Sequence, residues 1–340
     1  TPERVTSRAL VKEARAAYTA NKWGGRYLRA PAIYWTLLEK GKGKLVRLGD
    51  IAEVRFGIKT GANEFFYLDT AKAQQWKIEE EFLRPVIKSP RECKSILIDP
   101  SVLKSRLFLC HKTKEELKGT AALEYIKWGE LQAFHRRPSC AGRARWWDLG
   151  ERRLPPIISP SSVSELPRTF RNNGVLADKR LYEIYPYVDE SSVLLATNAI
   201  TSSLFLEIGS RTGLGEGLLD LTVYELADCL IALPQDSDRI EKVLMEASHR
   251  QFLPLKEELQ NPNRHDIDAL IFDALNLTQG ERDAIYEAVI GLVEARLNKA
   301  NSLKVSQERR KRLEAVDKTL GIWIGLPEEE HEDEVENHYA

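Results

Sequence analysis

The sequence predicts an α+β protein in which a mixed-sheet domain is followed by a helical C-terminal region. Between residues 44 and 234, short apolar runs with the two-residue alternation typical of strands stand between segments of helical periodicity. After Pro234 only the helical period remains. With 340 residues and 43% hydrophobic content, the chain is large enough for a hydrophobic core that needs no disulfide or metal to stabilise it.

Composition disfavours several classes of protein. The four cysteines are far apart and form no CxxC pair, so neither a disulfide framework nor a zinc ribbon is expected. No stretch approaches the roughly 18 apolar residues of a membrane span, and no signal peptide opens the sequence. We therefore expect a cytoplasmic protein with reduced thiols and no membrane partner.

The net charge of -1 at pH 7 conceals an uneven distribution. Residues 1–30 carry seven Lys or Arg and two Glu, and residues 135–153 carry six Arg and two acids. The last fourteen residues hold seven acids and no Lys or Arg. This asymmetry indicates two basic surfaces, and it predicts an acidic disordered tail over 326–340.

Residues 1–43 are predicted to form a basic helical and linker segment. A short helix over 3–18 is followed by Gly24, Gly25 and Pro31, which break the helical pattern before the next domain begins.

The sheet domain is predicted over 44–234. Val54, Phe56 and Ile58 alternate with Arg55 and Gly57, which is the pattern of a half-buried strand. Further short strands are predicted in the runs FFYL, RPVI, SILID, LFL, PPIIS and SVLLA.

Two helices are predicted inside this domain, in EELKGTAALEYIKWGELQAF and NAITSSLFLEIG. In the second, Asn198 is expected to cap the N-terminus and Gly209 to end the helix in a left-handed conformation.

Three further helices are predicted in the region 235–325. The first has Ile240, Val243, Leu244 and Ala247 at helical spacing and ends before Pro254. The other two bring apolar residues to one face in the same way, and Thr278 with Glu281 predicts a capping box at the start of the third. Their apolar faces centre on Ile271 and Val289.

Catalytic motifs are mostly missing. The one Pro-Pro pair has Leu154 before it and Ile157 after it, which is not the Asn/Asp-Pro-Pro-aromatic motif of amino-methylating DNA enzymes. The glycine-rich run over 209–217 lacks the spacing of a dinucleotide or phosphate-binding loop. Asp99 and Lys104 lack the second acid of a metal-dependent nuclease, and no Cys/His spacing matches a zinc site. We predict no catalytic, cofactor-binding or metal-binding residue in this chain.

The strongest chemical pattern is HRRPSCAGRARWWDLGERR, residues 135–153. Arginines beside paired tryptophans in a Gly/Pro/Ser loop are typical of nucleic-acid contact, because guanidinium groups bind phosphates or guanine edges and aromatic rings stack on bases. The alternative is that the arginines form surface ion pairs and that at least one of Trp146 and Trp147 is a core residue.

A second polar loop lies in IAEVRFGIKTGANEFFYLD, residues 51–69. Its glycines allow backbone amides to approach a phosphate closely, and Lys59, Thr60 and Asn63 supply the polar side chains. Taken alone, this loop is equally compatible with an ordinary hairpin.

The phrases EVRFGIKTGANEFFYLD, RARWWDLG, PPIISP, RTFRNNGVLADKRLYEIYP, VLLATNAITSSLFLEI and RTGLGEGLLDLTVYEL follow one another in the chain. In this order they resemble the C-terminal target-recognition (specificity) domain of TaqI-type adenine-N6 DNA methyltransferases, which also occurs in fused restriction–modification and phage-defence relatives. The resemblance covers roughly residues 44–234. It implies an α+β recognition module that faces an S-adenosylmethionine-binding catalytic domain across a DNA cleft.

The resemblance and the loops together give the functional prediction. The chain is expected to be the DNA-binding target-recognition portion of such an enzyme, to be non-catalytic by itself, and to work with a methyltransferase catalytic domain in cis or in trans. The alternative is a protein-interaction module in which the helices dock a methylase or nuclease subunit. The residues predicted to contact double-stranded DNA are Lys59, Thr60, Asn63, Arg136, Arg137, Arg143, Arg145, Trp146, Lys179, Arg180 and Arg211.

Overall fold

The computed structural model describes the backbone of residues 30–210 and 217–320, and the side chains of the same ranges as far as residue 302. Most of the basic segment predicted over 1–43, the acidic tail over 326–340 and Arg211 lie outside the described residues.

The described chain contains short strands and a larger set of helices, as an α+β fold requires. The strands are β1 (Leu45–Arg47), β2 (Ala52–Phe56), β3 (Tyr67–Asp69), β4 (Leu83–Ile87), β5 (Ser105–Phe108), β6 (Ile157–Pro160), β7 (Ser162–Val163), β8 (Phe170–Arg171), β9 (Leu176–Ala177), β10 (Leu181–Pro186), β11 (Leu219–Asp220) and β12 (Leu230–Ala232). The helices are α1 (Ala32–Lys40), α2 (Leu48–Ile51), α3 (Asn63–Phe66), α4 (Thr70–Trp76), α5 (Ala121–Leu131), α6 (Pro138–Ala141), α7 (Glu190–Asn198), α8 (Ile200–Gly209), α9 (Val223–Ala227), α10 (Ser237–Ser248), α11 (Leu255–Glu258), α12 (Pro262–Ala274) and α13 (Gln279–Leu320).

Two four-stranded sheets form the framework. The first has the order β2-β10-β6-β8 and is antiparallel throughout. The second has the order β3-β5-β4-β9, and it is mixed because β9 pairs in parallel with β4. The predicted α+β class with a mixed sheet is confirmed.

The predicted strand around Gly57 links the two sheets. Val54 and Phe56 pair with β10 of the first sheet, whereas Ile58 forms a parallel bridge with Asp178, directly after β9 of the second. Gly57 permits the change, since a Cβ at this position would lie 2.4 Å from the carbonyl oxygen of Asp178. The alternating run over residues 54–58 therefore pairs with both sheets.

Two of the predicted strands are wrong or only partly right. The run SILID forms no strand, since Leu97 makes only an isolated bridge with Arg171. In FFYL, the two phenylalanines belong to α3, and only the second half of the run is a strand.

Three further local predictions were wrong, and burial explains two of them. The run SVLLA belongs to α7, which is buried along almost its entire length, so its sequence has no polar face to reveal the helical period. Asn198 does not cap α8, because its buried amide nitrogen donates to the carbonyl oxygen of Thr169 at 3.0 Å instead. Gly209 lies inside α8, which ends at Ser210 in an extended conformation.

The helical predictions after Pro234 are confirmed as α10, α12 and α13. Their apolar faces, including Ile271 and Val289, are buried in one core together with residues of α1, α8 and the first sheet. The hydrophobic core thus runs without interruption across residue 234. A second core, rich in aromatic rings, is formed by residues between 58 and 176.

No single helix in the described ranges has the length and hydropathy of a membrane span. Taken together, α7 and α8 have sufficient length and apolar content, but the chain bends by 65° between them and both helices are buried.

A buried ion pair joins the C-terminal helices to the sheet region. Asp268 is fully buried, and its carboxylate accepts hydrogen bonds from Arg264 at 2.8 and 3.0 Å and from the Tyr286 hydroxyl at 2.9 Å. It also accepts the backbone amide of Ile200 at 2.7 Å, so Asp268 caps the N-terminus of α8.

We predict that Asp268→Ala lowers the free energy of unfolding by about 3–5 kcal/mol, because Arg264 would remain buried without its counter-ion. Urea unfolding followed by circular dichroism measures the change. Asp266→Ala, on the exposed side of the same helix, is the matched control and should change stability by less than about 0.5 kcal/mol. Equal effects of the two substitutions would contradict the prediction.

Candidate functional site

Three segments that are distant in sequence meet at one edge of the second sheet. They are the Lys59 loop (residues 57–63), the arginine loop (residues 135–147) and the Lys179 turn (residues 178–181). Each contains residues predicted from the sequence to contact DNA, and the Lys59 loop lies between the other two.

Backbone hydrogen bonds attach the Lys179 turn to the Lys59 loop. The amide of Ile58 donates to the carbonyl oxygen of Ala177 at 2.7 Å, and the amide of Lys179 donates to that of Ile58 at 3.1 Å. Lys59 and Lys179 therefore leave two neighbouring parallel segments at the same end.

The buried carboxylate of Asp178 organises the Lys179 turn. Its oxygens accept the backbone amide of Arg180 at 3.0 Å and the hydroxyl of Tyr67 at 2.5 Å. The amide of Leu181 closes the turn on the carbonyl oxygen of Asp178 at 2.8 Å, which leaves Lys179 and Arg180 at its tip. Burial and the hydrogen bond to Asp178 raise the pKa of Tyr67, so the hydroxyl stays a donor.

Arg143 attaches the arginine loop to the Lys59 loop. Its guanidinium donates to the carbonyl oxygens of Lys59 at 3.1 Å, Thr60 at 2.7 Å and Trp146 at 3.2 Å. Gly61, with a φ of +81°, allows the two loops to approach, because a Cβ there would lie 2.6 Å from that of Ser139.

Several predicted contact residues make internal contacts instead. Thr60 is buried and its hydroxyl donates to Asn63 Oδ1 at 2.5 Å. Trp146 is only 7% exposed, its ring packs on Phe65, and its indole nitrogen donates to Glu130 at 3.1 Å. Trp146 is thus a core residue, and its ring is not presented for stacking on a base.

Two arginines of the arginine loop pair with carboxylates. Arg145 binds Asp148 at 2.6 Å, and Arg137 donates two hydrogen bonds to Glu64, at 2.7 and 3.2 Å. Hydrogen bonding by Arg137 lowers the pKa of Glu64 below its ordinary value of 4.5.

The other predicted cations in the described ranges face solvent. The side chains of Lys59, Arg136, Lys179 and Arg180 are exposed, and within the described part of the chain none of them makes a hydrogen bond or an ion pair. Asn63 is exposed as well, and its amide nitrogen has no partner among the described residues. Of the residues predicted to contact DNA, these five have side chains that are exposed to solvent and accessible to a ligand.

Sequence reasoning missed Lys88, which follows β4 at the same edge. The amide of Asp178 donates to the carbonyl oxygen of Ile87 at 2.9 Å, so Lys88 emerges beside the Lys179 turn. An Ile-Lys pair ends a predicted strand at both Ile58-Lys59 and Ile87-Lys88. This repeated pattern is a sequence signal that could have indicated Lys88 as a candidate.

The alternative chemical sites make structural contacts. Asp99 accepts the amide of Ser101 at 2.9 Å, and His111 lies 2.7 Å from Asp148. Among the residues that the structure describes, no group of three His, Cys, Asp or Glu side chains is placed to hold a metal ion.

Comparison with protein-family models identifies the chain. The model described as "Type II methyltransferase M.Eco57I, C-terminal domain" matches residues 20–261, more than half of the sequence. The chain belongs to the M.Eco57I C-terminal domain family. It is also similar to the type II methyltransferase M.AccI of Acinetobacter calcoaceticus, with 30% identity over 168 residues that cover 47% of this chain.

Comparison with solved structures finds a protein of similar fold. The structure of the type IIG restriction endonuclease BpuSI superposes on 82% of this chain with a TM-score of 0.55 and 14% sequence identity, which shows a shared fold. This chain spans 29% of the length of M.AccI and 34% of the BpuSI chain.

We predict that Arg143→Ala lowers the free energy of unfolding by about 1–3 kcal/mol, because carbonyl groups of the Lys59 loop lose their donor. Chemical unfolding measures the change, and hydrogen exchange should show faster opening of the Lys59 loop. Arg136→Ala is the matched control, since Arg136 lies in the same loop and has no partner in the described ranges, and it should change stability by less than about 0.5 kcal/mol.

The Arg137–Glu64 pair predicts a pH dependence of stability. Because the pKa of Glu64 is lowered on folding, the contribution of the pair is present above pH 4.5 and is lost as the pH falls through the folded-state pKa. The stability difference between the wild type and Glu64→Gln should be largest near neutral pH and should decrease as the pH falls through the folded-state pKa of Glu64. In the background Arg137→Gln, this pH dependence should be weaker, because a backbone hydrogen bond and Lys72 still lower the pKa of Glu64. An undiminished pH dependence in that background would contradict the assignment to Arg137.

Proposed function

We propose that this chain is the DNA target-recognition portion of a type II methyltransferase or of a fused restriction–modification enzyme. The observation that carries the proposal is that hydrogen bonds join the three segments that contain Lys59, Arg136, Lys179 and Arg180 at one sheet edge. Duplex DNA carries one negative charge per roughly 1.7 Å of its axis, and an array of cations without internal counter-ions is complementary to it.

The exposed cations and the internal arginines have different roles in this proposal. Lys59, Lys179, Arg180 and Arg136 contact phosphates and set the orientation of the protein on the duplex. Asn63 offers an amide donor beside them, a group suited to a base edge.

The internally paired residues of the arginine and Lys59 loops fix the shape of this surface. Arg143 bonds to backbone carbonyl oxygens of the Lys59 loop, and Thr60 bonds to Asn63 within it. Arg137 and Arg145 hold carboxylates of their own, so they contribute less net charge toward a ligand than the unpaired cations.

In the parent enzyme, a catalytic domain in cis or in trans binds S-adenosylmethionine and methylates the N6 position of an adenine within the site that this chain selects. The sequence resemblance to TaqI-type adenine methyltransferases and the membership in the M.Eco57I C-terminal domain family support this proposal. An enzyme of this kind acts in the cytoplasm as part of a phage-defence system. The chain by itself performs no catalysis.

The alternative of a helical docking module receives no support from the apolar faces that suggested it. Ile271 and Val289 are fully buried inside the chain, so neither is available to a partner. The C-terminal helices instead share the core of the sheet region.

We predict that duplex binding by the chain weakens steeply with salt, and that Lys59→Ala/Lys179→Ala/Arg180→Ala makes this dependence shallower. Three lost phosphate contacts should reduce the slope of log affinity against log salt by about 2.7, at about 0.9 per contact. Fluorescence anisotropy with a labelled duplex at several salt concentrations measures both slopes.

The matched control removes three lysines that already pair with glutamates on other surfaces, Lys42→Ala/Lys118→Ala/Lys127→Ala. This variant has the same net charge as the first and should keep the wild-type slope. If both triple variants reduce the slope of log affinity against log salt by the same amount, this sheet edge is not a specific DNA interface. If the wild type shows no salt-dependent binding at all, the proposed function is wrong.

A further inference from the structure

Three parallel backbone segments lie side by side at the candidate edge, and each is followed by a lysine. The bridge from Ile58 to Asp178 and the parallel pairing of Ile87 with Ala177 define the three segments. Each segment is followed directly by a lysine: Lys59 follows Ile58, Lys88 follows Ile87, and Lys179 follows Asp178. Neighbouring strands are about 4.8 Å apart, so the three chain exits span roughly 10 Å.

Lys88 is held in a defined position without neutralisation of its charge. Its ammonium lies 4.8 Å from the centre of the Tyr67 ring, which is the arrangement of a cation–π contact. Glu92 accepts the backbone amide of Lys88 at 2.9 Å, but no carboxylate in the described part of the chain forms an ion pair with the ammonium. A half-buried, oriented ammonium without a counter-ion favours binding of an anion.

Arg180 is connected to the same Tyr67–Asp178 pair. The hydroxyl of Tyr67 is bonded to Asp178, and Asp178 fixes the backbone of Arg180. Burial and Asp178 raise the pKa of Tyr67, and the positive charge of Arg180 opposes part of this rise. The Arg180 guanidinium is therefore close enough to Tyr67 to act on it electrostatically. Lys88 and Arg180 thus both interact with one buried, hydrogen-bonded pair.

We propose that Lys88 and Arg180 each bind a phosphate of the DNA backbone, with the Tyr67–Asp178 pair as their common rigid support. This proposal rests on the proposed function, and it adds a residue outside the two basic stretches 1–30 and 135–153. Lys88 acts as a positional contact that is independent of base sequence. The site extends the row of Lys59 and Lys179 toward β4.

The test compares Lys88→Met with Lys88→Arg in the 340-residue chain. Methionine keeps an apolar stem of similar length over the Tyr67 ring but removes the charge, whereas arginine keeps the charge. Lys88→Met should make the salt dependence of duplex binding shallower by about 0.9 in log–log slope, and Lys88→Arg should restore it. Lys242→Met, at an exposed lysine of α10 without an ion pair among the described residues, is the control and should leave the slope unchanged.

A second measurement uses the unmodified chain, so it does not depend on the folding of a variant. Acylation of lysines by a water-soluble reagent, read by mass spectrometry, should show protection of Lys88 when a duplex is added and no protection of Lys242. Unchanged acylation of Lys88 together with an unchanged slope of Lys88→Met would overturn the inference, and Lys88 would then only pack on Tyr67.

The two proposals fail in distinguishable ways. One outcome is that the triple variant Lys59→Ala/Lys179→Ala/Arg180→Ala has a shallower salt dependence of duplex binding, whereas Lys88→Met has the wild-type dependence. This outcome contradicts the inference about Lys88 and leaves the proposed function supported. Absence of salt-dependent duplex binding in the wild type removes both. A slope change in Lys88→Met equal to that in Lys242→Met reveals a general charge effect and also removes the inference.

Discussion

The parallel pairing of Ile58 with the segment that ends at Asp178 is the contact on which the candidate interface depends. It joins the two sheets through Gly57, which tolerates a carbonyl oxygen where any other residue would place its Cβ. It also brings Lys59 beside Lys179, although about 120 residues separate them in the chain. Without this pairing, the basic segments of the sequence would be scattered over separate surfaces.

Local positive charge in the sequence does not translate directly into a free cationic surface. Arg143, in the most basic run of the sheet domain, donates to backbone carbonyl oxygens of a neighbouring loop, and Arg137 and Arg145 hold carboxylates. Lys88 and Lys179 lie outside that run and have no such partner among the described residues. Complementarity to a polyanion depends on which charges remain unpaired after folding, since a carboxylate within about 4 Å offsets most of the field of a cation.

The helices after Pro234 are an integral part of the molecule's core. Asp268 connects α12 to the start of α8. Arg296 of α13 donates a hydrogen bond of 2.7 Å to Glu207, which lies near the end of α8. Arg296 also donates to the carbonyl oxygen of Ser164 at 2.9 Å, which ties the same helix to the sheet region. The helical region thereby stabilises the sheet region that presents the interface.

The sequence by itself determined the α+β class, the helices after Pro234 and the loops that contain the candidate residues, because hydrophobic period and turn composition are local properties. It did not distinguish the buried helix α7 from a strand, since a segment buried on all sides shows no alternation. Nor did it separate Arg143, whose guanidinium binds backbone carbonyl groups, from Lys179, whose side chain is exposed to solvent, or reveal Lys88. These distinctions follow from strand pairing between distant segments, and only the tertiary structure decides which side chains then find a partner.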